Sequence, residues 1–323
     1  MQMSNARPMQ RHACTTILAL GLFAGCGLAA ATTTYDIKRF QDPRGQSTSF
    51  FPTGINNNHV IAGTASPDRG FTLSGASITL FDVPSAFNNF TFGDDINNSG
   101  IVVGTYRNSS GGHGFILDNG SYTTINVPGA TNETLVTGIN DAGQLVGQYR
   151  RANTTNYLGF VKSGATFTLL DAAQAQPNTA ANGINNAGQV VGFVGGGGTA
   201  SRGFTFENGT YGFFDAPGAV WTQGFGINNQ GQIVGVASTG LFVKDGANFT
   251  TLALPANWNA RSPVATDVSD DGVVVGYFTD NGTNLMYGFM ATPTAAVPEP
   301  ASLAMLLAGG LALHFGRRAR RRC

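Results

Sequence analysis

The stretch GINNAGQVVGF (Gly183–Phe193) holds no acid, no base and no thiol, yet the chain writes it again and again. GINNNHVIAGT starts at Gly54, DINNSGIVVGT at Asp95, GINDAGQLVGQ at Gly138, GINNQGQIVGV at Gly226 and DVSDDGVVVGY at Asp267. The six copies are spaced by 41, 43, 45, 43 and 41 residues. In each, a polar Asn-Asn-x-Gly type turn separates two apolar runs. Asn closes Asx-turns and Gly takes positive φ freely, so a β-hairpin is the economical reading. The following Val-Val or Ile-Val run is apolar on both faces, as in a strand packed between sheets. The glycine that ends it (Gly63, Gly104, Gly147, Gly192, Gly235, Gly276) is expected to mark close approach between sheets. On this reading the stretch is kept for its geometry and not for its chemistry.

Other features travel in phase. A Gly-Phe pair follows each copy (Gly70-Phe71, Gly114-Phe115, Gly159-Phe160, Gly203-Phe204, Gly288-Phe289), broken once as Gly240-Leu241-Phe242. An alternating Thr- and aromatic-rich run comes next, such as SITLFDV or TYGFFDA, and then a turn that often holds proline. Each period therefore carries four short β-segments, and no window outside the two ends reads as helix. Four strands in about 40 to 45 residues, repeated, describe a propeller blade. The expected fold is all-β: a six-bladed β-propeller of four-stranded blades over residues 32–293. The sixth copy runs out before its fourth strand, while TYDIKRF (Thr34–Phe40) stands before the first copy, so that segment is expected to close the ring. A β-solenoid is the rival, though it would need polar caps.

The ends read differently. Residues 1–31 carry Arg7 and Arg11, an apolar run from Ile17 to Leu28 and then Ala29-Ala30-Ala31, the order of a helical secretory signal peptide cut after Ala29-x-Ala31. Phe23-Ala24-Gly25-Cys26 leaves lipidation at Cys26 as a minor alternative. Residues 294–323 hold Val297-Pro298-Glu299-Pro300, an apolar stretch from Leu303 to Phe315 and five arginines. An apolar segment before a positive cluster is a stop-transfer arrangement, and thirteen residues suit transient retention better than a permanent span. This tail resembles the PEP-CTERM sorting signal. The resemblance implies a Gram-negative exporter of extracellular polysaccharide, an exosortase as processing partner and a short transmembrane sorting helix. The repeats, over about 54–290, resemble HAF extracellular repeats, with His113-Gly114-Phe115 in the naming slot and Arg69 and Arg202 in place of His elsewhere. That likeness implies a fold and an address, and no reaction.

Composition narrows the function classes. Cys14, Cys26 and Cys323 all lie in the ends, so residues 32–298 must be held by their core without disulfides. The same span has 11 lysines and arginines against 17 aspartates and glutamates, a formal charge of −6. An acidic body without a basic patch argues against nucleic acid. Candidates for chemistry are sparse, and no cofactor is expected. His59 and His113 are the only histidines between the ends and suggest no triad. Asp267, Ser269 and Asp271 alternate before Gly272 like the start of a calcium loop, but lack a fitting twelfth-position glutamate. Asp95-Ile96-Asn97-Asn98-Ser99-Gly100 is a diluted version. The carboxylates that break the repeat are Asp94, Asp95, Glu133, Asp270 and Asp271; paired on one cleft, they could serve glycoside hydrolysis. The run Gly195–Gly198 lacks the following Lys and helix of a phosphate loop. Trp221, Trp258, Phe87 and Phe90 lie in loops, where they pack or stack on sugars.

The expectation is thus an exported cell-surface or matrix propeller, noncatalytic, associating with exopolysaccharide or surface partners. Such a protein should bring no acidic or histidine cluster together in its channel and should expose its loop aromatics. A lyase or hydrolase on the same scaffold, or a self-associating matrix protein, are the alternatives.

Overall fold

The computed structural model describes residues 33–294, apart from 47–48, 68, 152–153, 172–177 and 196–200. The signal segment with Ala29, Ala31 and Cys26, the sorting motif Val297–Pro300, the apolar stretch behind it and most of the Gly195–Gly198 run lie outside the described residues. Among the described residues no helix is long and apolar enough to cross a membrane. Helix is limited there to two single 3₁₀ turns, Phe87–Asn89 and Ala256–Trp258.

The rest is strand. β1 (Thr34–Phe40) is followed by six groups of hairpin-linked strands. The first group is β2 (Phe50–Ile55), β3 (Ile61–Ala65), β4 (Arg69–Ser74) and β5 (Ser77–Phe81). The second is β6 (Thr91–Ile96), β7 (Val102–Asn108), β8 (Gly111–Asp118) and β9 (Ser121–Ile125). Then come β10 (Ala130–Ile139), β11 (Leu145–Arg151), β12 (Tyr157–Ser163) and β13 (Thr166–Leu170). β14 (Thr179–Ile184), β15 (Val190–Val194), β16 (Arg202–Glu207) and β17 (Thr210–Phe214) form the fourth group. β18 (Thr222–Ile227), β19 (Ile233–Ala237), β20 (Gly240–Asp245) and β21 (Asn248–Leu252) form the fifth. The last has three strands, β22 (Ala260–Val268), β23 (Val274–Asp280) and β24 (Met286–Thr294).

Four of the resulting sheets are separate and four-stranded, while the second and third groups share one eight-stranded sheet. That differs from six separate blades. The two halves are joined through a single parallel pair, Glu133 with Gly112, because β10 starts early enough to reach the end of β8. The short final group is completed by β1, which pairs antiparallel with β24 from Thr34–Thr294 to Phe40–Gly288. Side chains hold this closure as well. The Arg39 guanidinium lies 5.1 Å from the Tyr287 ring and 5.9 Å from that of Trp258, and Phe40 meets Phe50 edge-on at 5.9 Å.

The core lies between successive sheets. The Phe of every Gly-Phe pair (Phe71, Phe115, Phe160, Phe204, Phe289) and the displaced Phe242 are buried, as are the valines and isoleucines of the second strands apart from the half-buried Val236. One cluster joins Phe50, Ile55, Ile61 and Phe71 of the first group to Val273 and Val275 of the last, so the packing runs around a circle. The arrangement is that of a β-propeller.

Each first strand carries a β-bulge at the same place: the register skips one residue between Pro52 and Gly54, Gly93 and Asp95, Val136 and Gly138, Ala181 and Gly183, Gly224 and Gly226, and Ala265 and Asp267. The glycine ending each apolar run makes room for this bulge. A Cβ on Gly147 would lie 2.0 Å from the Leu135 carbonyl oxygen, and one on Gly192 1.9 Å from that of Ala180. A Cβ there would meet the partner strand of the same sheet, and the next sheet also comes close, as expected: a Cβ on Gly93 would lie 2.8 Å from the Gly63 carbonyl oxygen, and one on Gly224 3.3 Å from that of Gly192. Sheets also meet at the first glycine of the motif, where a Cβ on Gly183 would lie 2.6 Å from the Phe225 carbonyl oxygen.

Candidate functional site: an axial well

The residues skipped by the six bulges are Thr53, Asp94, Thr137, Asn182, Phe225 and Thr266, and all six line one cavity of about 600 Å³. A bulge bends its strand and re-aims the extra side chain. Repetition of the bulge therefore turns six side chains toward a common axis. Two positions earlier, Phe92, Leu135, Ala180, Gln223 and Val264 line the same space, as the two-residue period of a strand requires. The second strands add Thr105, Arg107, Gln148, Phe193 and Tyr277, and Phe90 stands beside Arg107. The wall thus combines aromatic rings with aliphatic, hydroxyl and amide groups.

The opposite end is drawn together by the Asn-Asn turns. In four of the turns the first asparagine accepts from two amides, as Asn185 Oδ1 does from Ala187 N (3.1 Å) and Gln189 N (3.0 Å), while Asn140 accepts from Gln144 N and Ser269 stands in the sixth turn. The asparagine Nδ2 reaches the next turn's carbonyl: Asn56 to Asn97, Asn97 to Asn140, Asn140 to Asn185, Asn185 to Asn228, and Asn228 to Ser269. The second residues form a full circle of amide-to-side-chain bonds. Asn57 N donates to Asn98 Oδ1, Asn98 N to Asp141 Oδ1, and Asp141 N to Asn186 Oδ1. Asn186 N donates to Asn229 Oδ1, Asn229 N to Asp270 Oδ1, and Asp270 N returns to Asn57 Oδ1 at 2.9 Å. The repeated stretch is kept for its hydrogen-bonding chemistry as well as its geometry. Inside this circle only about 60 Å³ is free, room for roughly two waters. The wide cavity is therefore a well that narrows sharply at the turn end.

Acidic residues do gather at the axis, against the expectation for a plain binding module. Asp94 looks into the well; enclosure by protein pushes its pKa up to about 8, opposed by a bond from the Thr105 hydroxyl and assisted by the nearby Asp95 charge. Asp95 sits where most copies have glycine. Burial raises its pKa to about 7 although its carboxylate accepts from Ile139 N and Ile96 N, at 2.8 and 2.7 Å. Asp267 is raised by burial and by Asp95, and accepts from Ile55 N at 2.8 Å. Each overlies a glycine of the preceding turn: a Cβ on Gly54 would lie 2.6 Å from Asp95 Oδ1, and one on Gly226 2.5 Å from Asp267 Oδ1.

The remaining candidates scatter. Asp267, Ser269 and Asp271 do not point to a shared centre: Asp267 turns to Ile55 N, while the Ser269 hydroxyl donates to Asp271 Oδ1 at 2.5 Å. Asp271 also meets His59 Nε2 at 2.9 Å. Among the described residues no group of three or more His, Cys, Asp or Glu is placed to hold a metal ion. Asp270 belongs to the turn circle. Its counterpart Asp141 is partly buried, which works against its charge, but the amides of Asn186 and Asn98 outweigh this and lower its pKa. His113 contacts Asn126 Oδ1, Asn108 Oδ1 and Ser110 Oγ. Glu133 is buried and shared by Arg107, Arg150 and Tyr157. Of the loop aromatics, Phe87 is 64 % exposed, Phe90 lines the well, Trp221 is half-buried and Trp258 stacks on Phe278 at 5.3 Å.

Sequence reasoning singled out Asp94 and Phe90 but missed the other well residues. For the first-strand members the signal was present: they occupy the positions one and three before the start of each repeated motif, which vary between copies more than the motif does, and Thr105, Gln148, Phe193 and Tyr277 each directly follow the glycine that ends the apolar run.

No family model matches the chain, and no curated protein matches it. Solved structures do. A gluconolactonase from Xanthomonas campestris, 12% identical, matches with a TM-score of 0.50 over 77% of this chain and 89% of its own. A lectin from Aleuria aurantia is 14% identical with a TM-score of 0.48, covering 78% of this chain and 97% of the lectin. AofleA from Arthrobotrys oligospora is 14% identical with a TM-score of 0.45, covering 83% and 91%. The likeness is one of fold: this chain has the β-propeller architecture.

Proposed function

We propose that the chain is an exported, noncatalytic six-bladed β-propeller of the cell surface or extracellular matrix that binds saccharide in its axial well. The six-blade reading treats the two halves of the eight-stranded sheet as two blades, supported by the six bulges and six turns that contribute equally to the axis. Export is read from residues 1–31 and exosortase sorting from Val297–Pro300, the apolar stretch and the arginines, with transient retention in the inner membrane. Exopolysaccharide is the partner class that such sorting suggests, and the acidic body speaks against nucleic acid.

The observation that carries the reading is the wall of the well. Phe90, Phe92, Phe193, Phe225 and Tyr277 line it with aromatic rings and Gln148 and Gln223 with amides, while Thr53, Thr137 and Asn182 each spend a donor on a carbonyl of the next sheet (Gly93, Ala181 and Gly224) and keep their oxygens as acceptors. Sugar rings likewise combine apolar faces with hydroxyl edges, which such a wall suits. The test is to titrate the intact chain with exopolysaccharide from its own host while assaying new reducing or unsaturated ends. Binding without new ends is the expected result, and absence of binding would sink the proposal.

One observation favours the lyase or hydrolase alternative. Asp94 faces the well with a pKa raised to about 8, the direction a general acid needs. Its neighbour Asp95 is turned to backbone amides and does not line the well, so the second carboxylate of a hydrolase is not in place. New chain ends in the same assay would favour the enzyme. Concentration-dependent assembly of the chain without saccharide would favour the self-associating alternative.

A further inference from the structure

We infer that the well takes the terminal, carboxylate-bearing residue of an acidic saccharide end-on, with the Arg107 guanidinium holding the carboxylate. This inference rests on the saccharide reading above and adds a charge class and a mode of entry.

The charge class comes from Arg107. Among the residues lining the well, the ionisable groups are Asp94, Arg107 and Tyr277. Arg107 Nη2 lies 2.7 Å from Glu133 Oε1, but the same carboxylate also receives Arg150 Nη2 at 2.7 Å and the Tyr157 hydroxyl at 2.5 Å. Two guanidinium groups thus share one buried carboxylate, leaving one positive charge uncompensated. Arg107 is the member of the pair that reaches the well, its side chain 53 % exposed and its guanidinium 5.8 Å from the Phe90 ring. A guanidinium has five donors and can hold a second carboxylate bidentately while keeping its first partner. Burial raises the pKa of Asp94 to about 8 and that of the Tyr277 hydroxyl above its usual value, so both favour their proton-donating forms beside an incoming carboxylate.

The mode of entry comes from the shape. Arg107 stands near the end of β7 away from the Asn-Asn turns, while at the turn end the free space falls to about 60 Å³. A polymer cannot thread such a well, so only a chain end enters it.

The test is calorimetric titration of the intact chain with trigalacturonate, its fully methyl-esterified form and maltotriose. Trigalacturonate is expected to bind at least tenfold more tightly than the other two. Arg107→Gln should erase that preference, and Arg107→Lys should restore part of it. The ester comparison decides the point even if the variants fail to fold. With polygalacturonate cut to different lengths, saturation should scale with the number of chain ends and not with polymer mass. Equal affinity for ester and acid, or a preference that survives in Arg107→Gln, overturns the charge class; scaling with mass overturns end-on entry. If host exopolysaccharide binds but trigalacturonate does not, the inference fails while the saccharide reading stands. If neither binds, both fail.

Discussion

At the scale of single residues, the glycines and asparagines of the repeat answer to separate demands. Gly147 faces a carbonyl across its bulge, and the Cβ of Gly147→Ala would sit 2.0 Å from Leu135 O. The two strands must part, so this variant is expected to be insoluble or to lose several kcal/mol, on the order of an overpacked core site. Expression with thermal melting checks it; a wild-type melting temperature would show that the bulge can relax. Asn98 is a different case. Its side chain accepts from Asn57 N and donates to Asp141 Oδ2, so Asn98→Ala opens the circle at two bonds. The expected cost in urea unfolding is about 1–3 kcal/mol near neutral pH, and the loss of stability on acidification should become shallower than in the wild type. The second effect follows because Asp141 loses a donor that lowers its pKa. A loss under about 0.5 kcal/mol would mean that water replaces both bonds. These turns were legible in the sequence as hairpins with Asx closure, since Asn-Asn-x-Gly carries its local geometry with it. Their circular bonding was not legible, because successive partners lie 41 to 45 residues apart and the closing pair 213 apart.

At the scale of elements, strand identity followed from local pattern and strand partnership largely from counting. Each Gly-Phe pair sets a ring into the core between sheets, and Phe160 is fully buried among Leu145, Val103 and Val136. Phe160→Ala is expected to cost about 3–5 kcal/mol in chemical denaturation. A smaller loss would show that the cluster collapses around the gap. The pairing of β1 with β24 was foreseen because one strand was missing at one end of the chain and one was spare at the other. Removing residues 33–40 should leave the edge of β24 unpaired, lower the melting temperature and give concentration-dependent light scattering. Retention of the full melting temperature would make β1 an ornament. The merger of the second and third groups into one sheet was invisible beforehand, because it depends on where β10 begins relative to β8.

At the scale of the whole molecule, the ring collects acidic groups that are far apart along the chain. Asp94, Asp95 and Asp267 each have a raised pKa, with about 8 for Asp94 and about 7 for Asp95. Between their unfolded values near 4 and these raised values, the folded protein binds more protons than the unfolded chain. Stability should therefore be greatest near pH 4–5 and fall as pH rises through about 7 to 8. Asp94→Asn should flatten that slope by removing one of the protons involved. Melting curves from pH 5 to pH 8.5 test this, and a wild-type melting temperature that rises over the range would contradict it. The acid partners could not be paired in advance, since a hairpin-turn aspartate looks the same in sequence whether it faces solvent or another carboxylate.

The sequence by itself determined the period, the strand content, the turn chemistry and the closing segment, because each is set by residues within a few positions of one another or by counting units. The well, the raised pKa of Asp94 and the shared Glu133 were decided only by the tertiary structure. A bulge does not announce which way it aims a side chain, and charges titrate according to neighbours that only ring closure brings together.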